Sequence, residues 1–134
     1  IAKGKAQAAG ADNVSFHVGT LDAFDLFEPG SLDGVCAYSL LHLVEDLPAT
    51  LRRIHELLRP GGFLVSSTVC LSDSWVPYRP ILQVARWLGK APRVVSLLRK
   101  RTLEDELRRA GFDGIEQPEV GAQSTIAFIV AKKV

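Results

Sequence analysis

A strand–helix–strand alternation closed by two further strands predicts an α/β fold, with a doubly wound, mostly parallel sheet that ends in an antiparallel pair. Three observations carry this prediction. Leu32–Tyr38 reads as a strand that runs into a loop and then an amphipathic helix. Leu57-Leu-Arg-Pro-Gly-Gly-Phe-Leu-Val65 stops that helix and begins a second strand. Near the end, a helix opening at Thr102 precedes two apolar segments joined by a short Gly-containing link, the arrangement of an antiparallel pair.

Taken in order, Ile1–Ala9 is rich in Ala and Lys and reads as a helix, with Gly10 suited to the position just past its end. Val14–Val18 alternates apolar and polar residues and reads as a strand, with Gly19-Thr20-Leu21-Asp22 at its carboxyl end. Ala23–Gly30 is a loop or short helix with a Pro29-Gly30 turn. Leu32–Tyr38 is the next strand. Asp46 is a candidate N-cap, and Pro48 is tolerated in a first helical turn. Leu47, Leu51, Ile54, Leu57 and Leu58 then share one helical face, opposite Arg52, Arg53, Glu56 and Arg59. Pro60 is expected to end this helix and Gly61-Gly62 to let the chain turn. Phe63–Cys70 reads as a strand buried on both faces. Residues 72–101 are less regular. Thr102 with Asp105 resembles a capping box, Leu103 and Leu107 give an apolar stripe, and Gly111 ends that helix. Phe112–Val120 and Thr125–Ala131 are the closing strands.

Composition narrows the function classes. The 134 residues carry 47% hydrophobic and 23% charged residues, an ordinary soluble profile with enough chain for one domain and its core. The formal net charge of +1 gives no field that favours nucleic acid. No apolar run approaches the ~20 residues that cross a bilayer, and a cytoplasmic location is expected. Cys36 and Cys70 lie in apolar runs and are expected as buried free thiols in a reducing compartment. His17, His42 and His55 stand too far apart for metal-ligand spacing, so no metal is expected.

Four stretches, in this order and spacing, carry a resemblance: Val14-Ser-Phe-His-Val-Gly-Thr20, Ser31-Leu-Asp-Gly-Val35 with Leu41-His-Leu43, Leu57-Leu-Arg-Pro-Gly-Gly62, and Thr102-Leu-Glu-Asp-Glu-Leu107 with Ala110-Gly-Phe112. Together they resemble class I S-adenosylmethionine-dependent methyltransferases, in particular the small-molecule group that includes ubiquinone and menaquinone C-methyltransferases. The resemblance implies a Rossmann-like, seven-stranded sheet of which this chain supplies the third to seventh strands. It is then incomplete at its N-terminus and lacks the Gly-rich turn and acidic strand end that hold the methionine and ribose parts of the cofactor. It implies one methyltransferase-like domain over residues 1–134, the C-terminal portion, with a cap-like insert at about 72–101.

The resemblance carries cofactor contacts onto Thr20, Leu21 and Asp22 at the adenine, and onto backbone near Tyr38 and Ser39 on the methionine side. Ligands in such sheets sit at the carboxyl ends of parallel strands, where all five positions fall. Asp22 is equally readable as a solvated loop acid, and Tyr38 as a packing residue. His42 is a candidate general base for an acceptor that must lose a proton, or a histidine hydrogen-bonded at the start of a helix. Trp75, Tyr78 and Arg79, with the aliphatic residues after them, are candidate acceptor-binding residues for a ring-bearing or lipid-like small molecule, or a helix packed on the sheet. From Arg79 to Arg101 the chain has seven basic residues and no acid (Arg79, Arg86, Lys90, Arg93, Arg99, Lys100, Arg101). That run suits peripheral contact with an anionic membrane or an acidic acceptor, or is a solvated face.

The expected function is methyl transfer from S-adenosylmethionine to an O, N or C nucleophile in the full-length parent. One rival is a short relic that cannot bind cofactor and forms homodimers through bare strand edges. Another is a nicotinamide-dependent enzyme, against which the missing dinucleotide fingerprint counts.

Overall fold

The structure, a computed structural model, describes residues 1–21, 26–70, 78–89, 99–118 and 126–134, without the side chains at 78, 79, 82 and 86. Its elements in chain order are α1 (Ala2–Ala8), β1 (Leu32–Tyr38), α2 (Leu47–Leu57), β2 (Leu58–Val69), α3 (Tyr78–Trp87), α4 (Lys100–Arg109), β3 (Phe112–Glu116) and β4 (Ile126–Lys133). The sheet runs β1-β2-β4-β3. β1 and β2 are parallel, and β4 is antiparallel to both β2 and β3. The mixed α/β fold and its antiparallel closing pair are therefore present as read.

The strand–helix–strand unit follows from its local signals. Asp46 takes an extended conformation, and its Oδ1 accepts from Ala49 N at 2.8 Å. This satisfies one of the amide donors that a helix start leaves without partners. Leu47, Leu51, Ile54 and Leu57 are all buried along one side of α2. At the far end, Lys133 of β4 donates from Nζ to the carbonyl oxygens of His55 (2.6 Å) and Leu58 (2.7 Å). That cation closes the electronegative end of α2 and ties helix to sheet.

One face of the sheet is dry. Val35, Leu64 and Ala131 form one row across three strands, and Ala37, Ser66 and Ile129 form the next. Of these, Ala37, Leu64, Ser66, Ile129 and Ala131 are at most 2% exposed. The core they build includes Leu51 and Ile54 of α2 and Leu103 and Leu107 of α4, and the two helices touch each other. The opposite face carries Cys36, Tyr38 and Phe63, all exposed. β2 is thus buried on one face and half-covered on the other, rather than on both as its apolar run suggested. Cys36 is an exposed thiol, whereas Cys70 is buried as expected. Period-2 alternation decides this: neighbours along a strand point to opposite faces, and Cys36 is out of phase with Ala37.

Several boundaries differ from the sequence reading. Val14–Val18 takes no place in the sheet, and Val18 is fully exposed. Its alternation is strand-like, but β1 pairs only with β2 among the described residues, so the ladder that would fix it is lacking. Val14 and Phe16 instead border a cavity of about 410 Å³ against Lys3, Ala6 and Gln7 of α1. α2 ends at Leu57, with Leu58 already extended (φ −73°, ψ 138°), one residue before Arg59, where the following Pro60 disfavours helical backbone. α4 begins at Lys100 with Arg99 in the cap position and no side-chain cap bond, so Thr102 lies inside the first turn. Within the irregular region, Tyr78–Trp87 is helical.

Candidate functional site

The chain after β1 is bent by one residue. Ser39 has φ 51°, the only non-glycine in the left-handed region among the described residues, and its N–H donates to Ser67 O at 2.7 Å. Such backbone is uncommon for a residue with a side chain and persists where its surroundings hold it. The bend leads into residues 40–46, which connect the carboxyl end of β1 to the first turn of α2.

That loop forms one wall of a cavity of about 850 Å³. The facing wall is His17, Gly19, Thr20 and Leu21, with Phe27 beside them. Leu40, Leu43 and Val44 supply apolar surface, while Glu45 and Asp46 supply carboxylates. The volume falls within the roughly 300–1,000 Å³ of small-molecule sites. Apolar walls suit the faces of a heteroaromatic ring, and the Thr20 hydroxyl is the kind of group that meets its polar edge.

The positions expected from the sequence are distributed as follows. Thr20 and Leu21 line the cavity, and Leu21 also packs on the core. Asp22 lies outside the described residues. Tyr38 and Ser39 stand at the end of β1 and are not among the lining residues, whereas Leu40 and Leu43–Asp46 just after them are. Tyr38 is 59% exposed, and a hydrogen bond with Cys36 raises its pKa above the ordinary tyrosine value, with the thiol's charge and slight desolvation adding. His42 lies within the loop, half-buried and not among the lining residues, and its Nδ1 is enclosed without a hydrogen-bond partner among the described residues. Burial lowers its pKa, favouring the neutral ring. Trp75 lies outside the described residues; Tyr78 and Arg79 open α3. Among the described residues no three His, Cys, Asp or Glu side chains group so as to hold a metal ion.

The sequence reading missed His17, Phe27, Leu40 and Leu43–Asp46 as cavity walls. The available signal was positional: residues 40–46 are the whole connection between the carboxyl end of a parallel strand and the next helix.

Residues 3–117 match a family described as a methyltransferase domain. Fumosorinone synthetase of Cordyceps fumosorosea is 31% identical over 133 residues, covering 81% of this chain and 3% of that protein. Highly reducing polyketide synthase g433 of a Fusarium species is 36% identical over 93 residues, covering 67% of this chain and 4% of that protein. The chain therefore spans a few hundredths of the length of these relatives. Among solved structures, the CurJ carbon methyltransferase superposes with a TM-score of 0.72 at 22% identity, over 98% of this chain and 38% of that one. The trans-methyltransferase CalH, in complex with SAH, gives 0.68 at 23%, over 99% and 39%. At these identities the two structures speak for the fold, and the family match speaks for lineage. With most of its length matched, the chain belongs to the methyltransferase-domain family, the S-adenosylmethionine-dependent class that its sequence resembles.

Proposed function

We propose that this chain forms the adenine-side wall of an S-adenosylmethionine site, in an enzyme that methylates a carbon atom of a small ketide-like acceptor. The observation that carries the reading is the cavity between Gly19–Leu21 and residues 40–46 at the carboxyl end of β1. The residues present fit one half of the cofactor: apolar walls for the base and a hydroxyl for its edge. No Gly-rich turn for the methionine end occurs in the chain before Val14. The carbon acceptor is supported by relatives that include a polyketide synthase and a carbon methyltransferase.

The cofactor supplies a methyl group already activated by its sulfonium charge, so the protein's work is mainly to hold donor and acceptor in line and exclude water. Leu21, Leu40, Leu43 and Val44 do the excluding. A carbon acid must lose a proton, and His42 is the residue we assign to take it, since burial keeps the ring neutral. Asp22, Tyr38 and Ser39 remain assigned to the cofactor, and Trp75, Tyr78 and Arg79 to the acceptor.

The test is calorimetric titration with S-adenosylhomocysteine. Binding is expected, with loss of at least tenfold in affinity for Leu43→Arg, whose side chain is surface-accessible and fills the cavity. Absence of binding, or binding indifferent to Leu43→Arg, overturns the site. A separate assay follows labelled methyl onto a β-ketoacyl thioester; transfer to an alcohol or amine but not to this carbon would overturn the acceptor while leaving the cofactor site standing.

A further inference from the structure

The cavity beside Thr20 carries fixed charge of one sign. Glu45 and Asp46 are among its lining residues, with His17 as a further ionisable group, and no lysine or arginine lines it among the described residues. The two carboxylates are not alike. Ala49 N donates to Asp46 Oδ1 at 2.8 Å, which holds that group at the start of α2. The positive end of the helix offsets part of its charge. Glu45 has no hydrogen-bond or ion-pair partner among the described residues, so its charge is not offset in this way. Much of the remaining wall is apolar, with Leu21, Phe27, Leu40, Leu43 and Val44. Charge of one sign set among apolar walls focuses its field into the space they enclose. A space of about 850 Å³ is about 12 Å across if taken as round, so a charge held anywhere in it lies within or close to one screening length of Glu45.

We propose that Glu45, with a smaller share from Asp46, makes this cavity discriminate by ligand charge, holding the cationic methyl donor more tightly than its neutral product. The proposal rests on the cofactor reading above and adds to it a residue that sets specificity. S-adenosylmethionine carries a sulfonium, an ammonium and a carboxylate, and so has a net positive charge. When the methyl group passes to the acceptor, the acceptor's electron pair forms the new bond and the C–S pair stays on sulfur. The sulfonium becomes a neutral thioether, and S-adenosylhomocysteine has no net charge. All other groups are common to the two molecules. The attraction exerted by Glu45 therefore ends with the reaction, and the product is held less tightly than the donor that replaces it. A carboxylate that only kept the loop hydrated would not tell the two ligands apart.

The test is calorimetric titration of the full chain at pH 8, above the ordinary titration range of histidine, with S-adenosylmethionine and S-adenosylhomocysteine in turn. The donor is expected to bind more tightly than the product, with the difference narrowed by salt. Glu45→Gln should weaken donor binding by roughly threefold to tenfold and leave product binding within about twofold of the parent. Asp46→Asn, which keeps a capping side chain, should act in the same direction and less strongly. Glu45→Lys should reverse the preference. Glu45 is exposed, so its variants are expected to keep the thermal melt of the parent. Sinefungin, in which an amine-bearing carbon replaces the methylated sulfur, separates charge from sulfur chemistry and should follow the donor. Product bound as tightly as donor, a preference unchanged by Glu45→Gln, equal weakening of both ligands, or sinefungin binding indifferent to Glu45→Gln overturns the proposal while leaving the cofactor site standing. No binding of either ligand to the parent removes the cofactor reading and this proposal with it.

Discussion

Single residues set the turns of this protein, and their chemistry makes them testable. Ser39 holds left-handed backbone under a hydrogen bond to Ser67. Ser39→Gly is expected to be neutral or stabilising by up to about 1 kcal/mol, and Ser39→Val to destabilise by about 1–3 kcal/mol, measured by urea unfolding. Gly62, after Pro60, and Gly34, in β1 opposite Phe63, are not equivalent. A Cβ on Gly62 would stand 2.9 Å from the backbone oxygen of Arg59 and 3.1 Å from that of Asp33. A Cβ on Gly34 would meet only the ring of Phe63, which is half-exposed and free to swing. Gly62→Ala should therefore cost about 1–3 kcal/mol and Gly34→Ala clearly less. Equal losses would show that Phe63 is held as firmly as backbone.

At the scale of elements, α2 links the site to the core: its N-cap Asp46 lines the cavity while its Leu51 and Ile54 pack under the sheet. Asp46→Ala should cost about 1 kcal/mol, and Leu51→Ala about 2–5 kcal/mol, since Leu51 is fully buried. His55 of the same helix, with His42 ahead of it, is expected to make the fold acid-sensitive. His55 stands edge-on to Phe112 with ring centroids 5.2 Å apart. Burial lowers its pKa, the Lys133 charge lowers it further, and Gly111 and Glu56 oppose them. His42 is lowered by burial as well. For both, the unfolded chain binds the proton more readily than the folded one. The stabilisation is thus present above the ordinary histidine value of 6.5 and lost as pH falls below it. Urea midpoints should drop between about pH 8 and about pH 5, and His55→Gln should flatten the slope. An unchanged slope would place the sensitivity elsewhere. Lys133, at the end of β4, shows how far apart in sequence the parts of one element's stability lie: it closes α2 from the last strand.

At the scale of the whole molecule, β2 and β4 sit inside the sheet, while β1 offers its outer side to no strand among the described residues. Hydrogen exchange should be slowest for central amides of β2 and β4, such as Leu64 and Ile129, and fast throughout Val14–Val18. Protection of Val14–Val18 would show that it pairs after all, within the chain or with a second copy.

Much of this architecture was legible because it rests on local rules. The Leu32–Tyr38 strand, the Asp46 cap, the stripe Leu47–Leu51–Ile54–Leu57 and the Leu103–Leu107 stripe depend on side-chain period and capping chemistry, which neighbours in sequence settle by themselves. The cavity wall was half-legible: Thr20 and Leu21 were named from family likeness and line it, whereas Leu40 and Leu43–Asp46 were not named, because the φ angle at Ser39 that turns the chain has no signature in residue type. Thr102 misled for a similar reason, since where a helix starts depends on the backbone at Arg99 and not only on which residue can cap. Which strands have neighbours, which face of β2 is dry, whether Cys36 is hidden and how Lys133 reaches α2 were decided by tertiary structure alone. Pairing and burial are properties of elements brought together from distant parts of the chain, and an alternating segment such as Val14–Val18 becomes a strand only when another backbone accepts its hydrogen bonds.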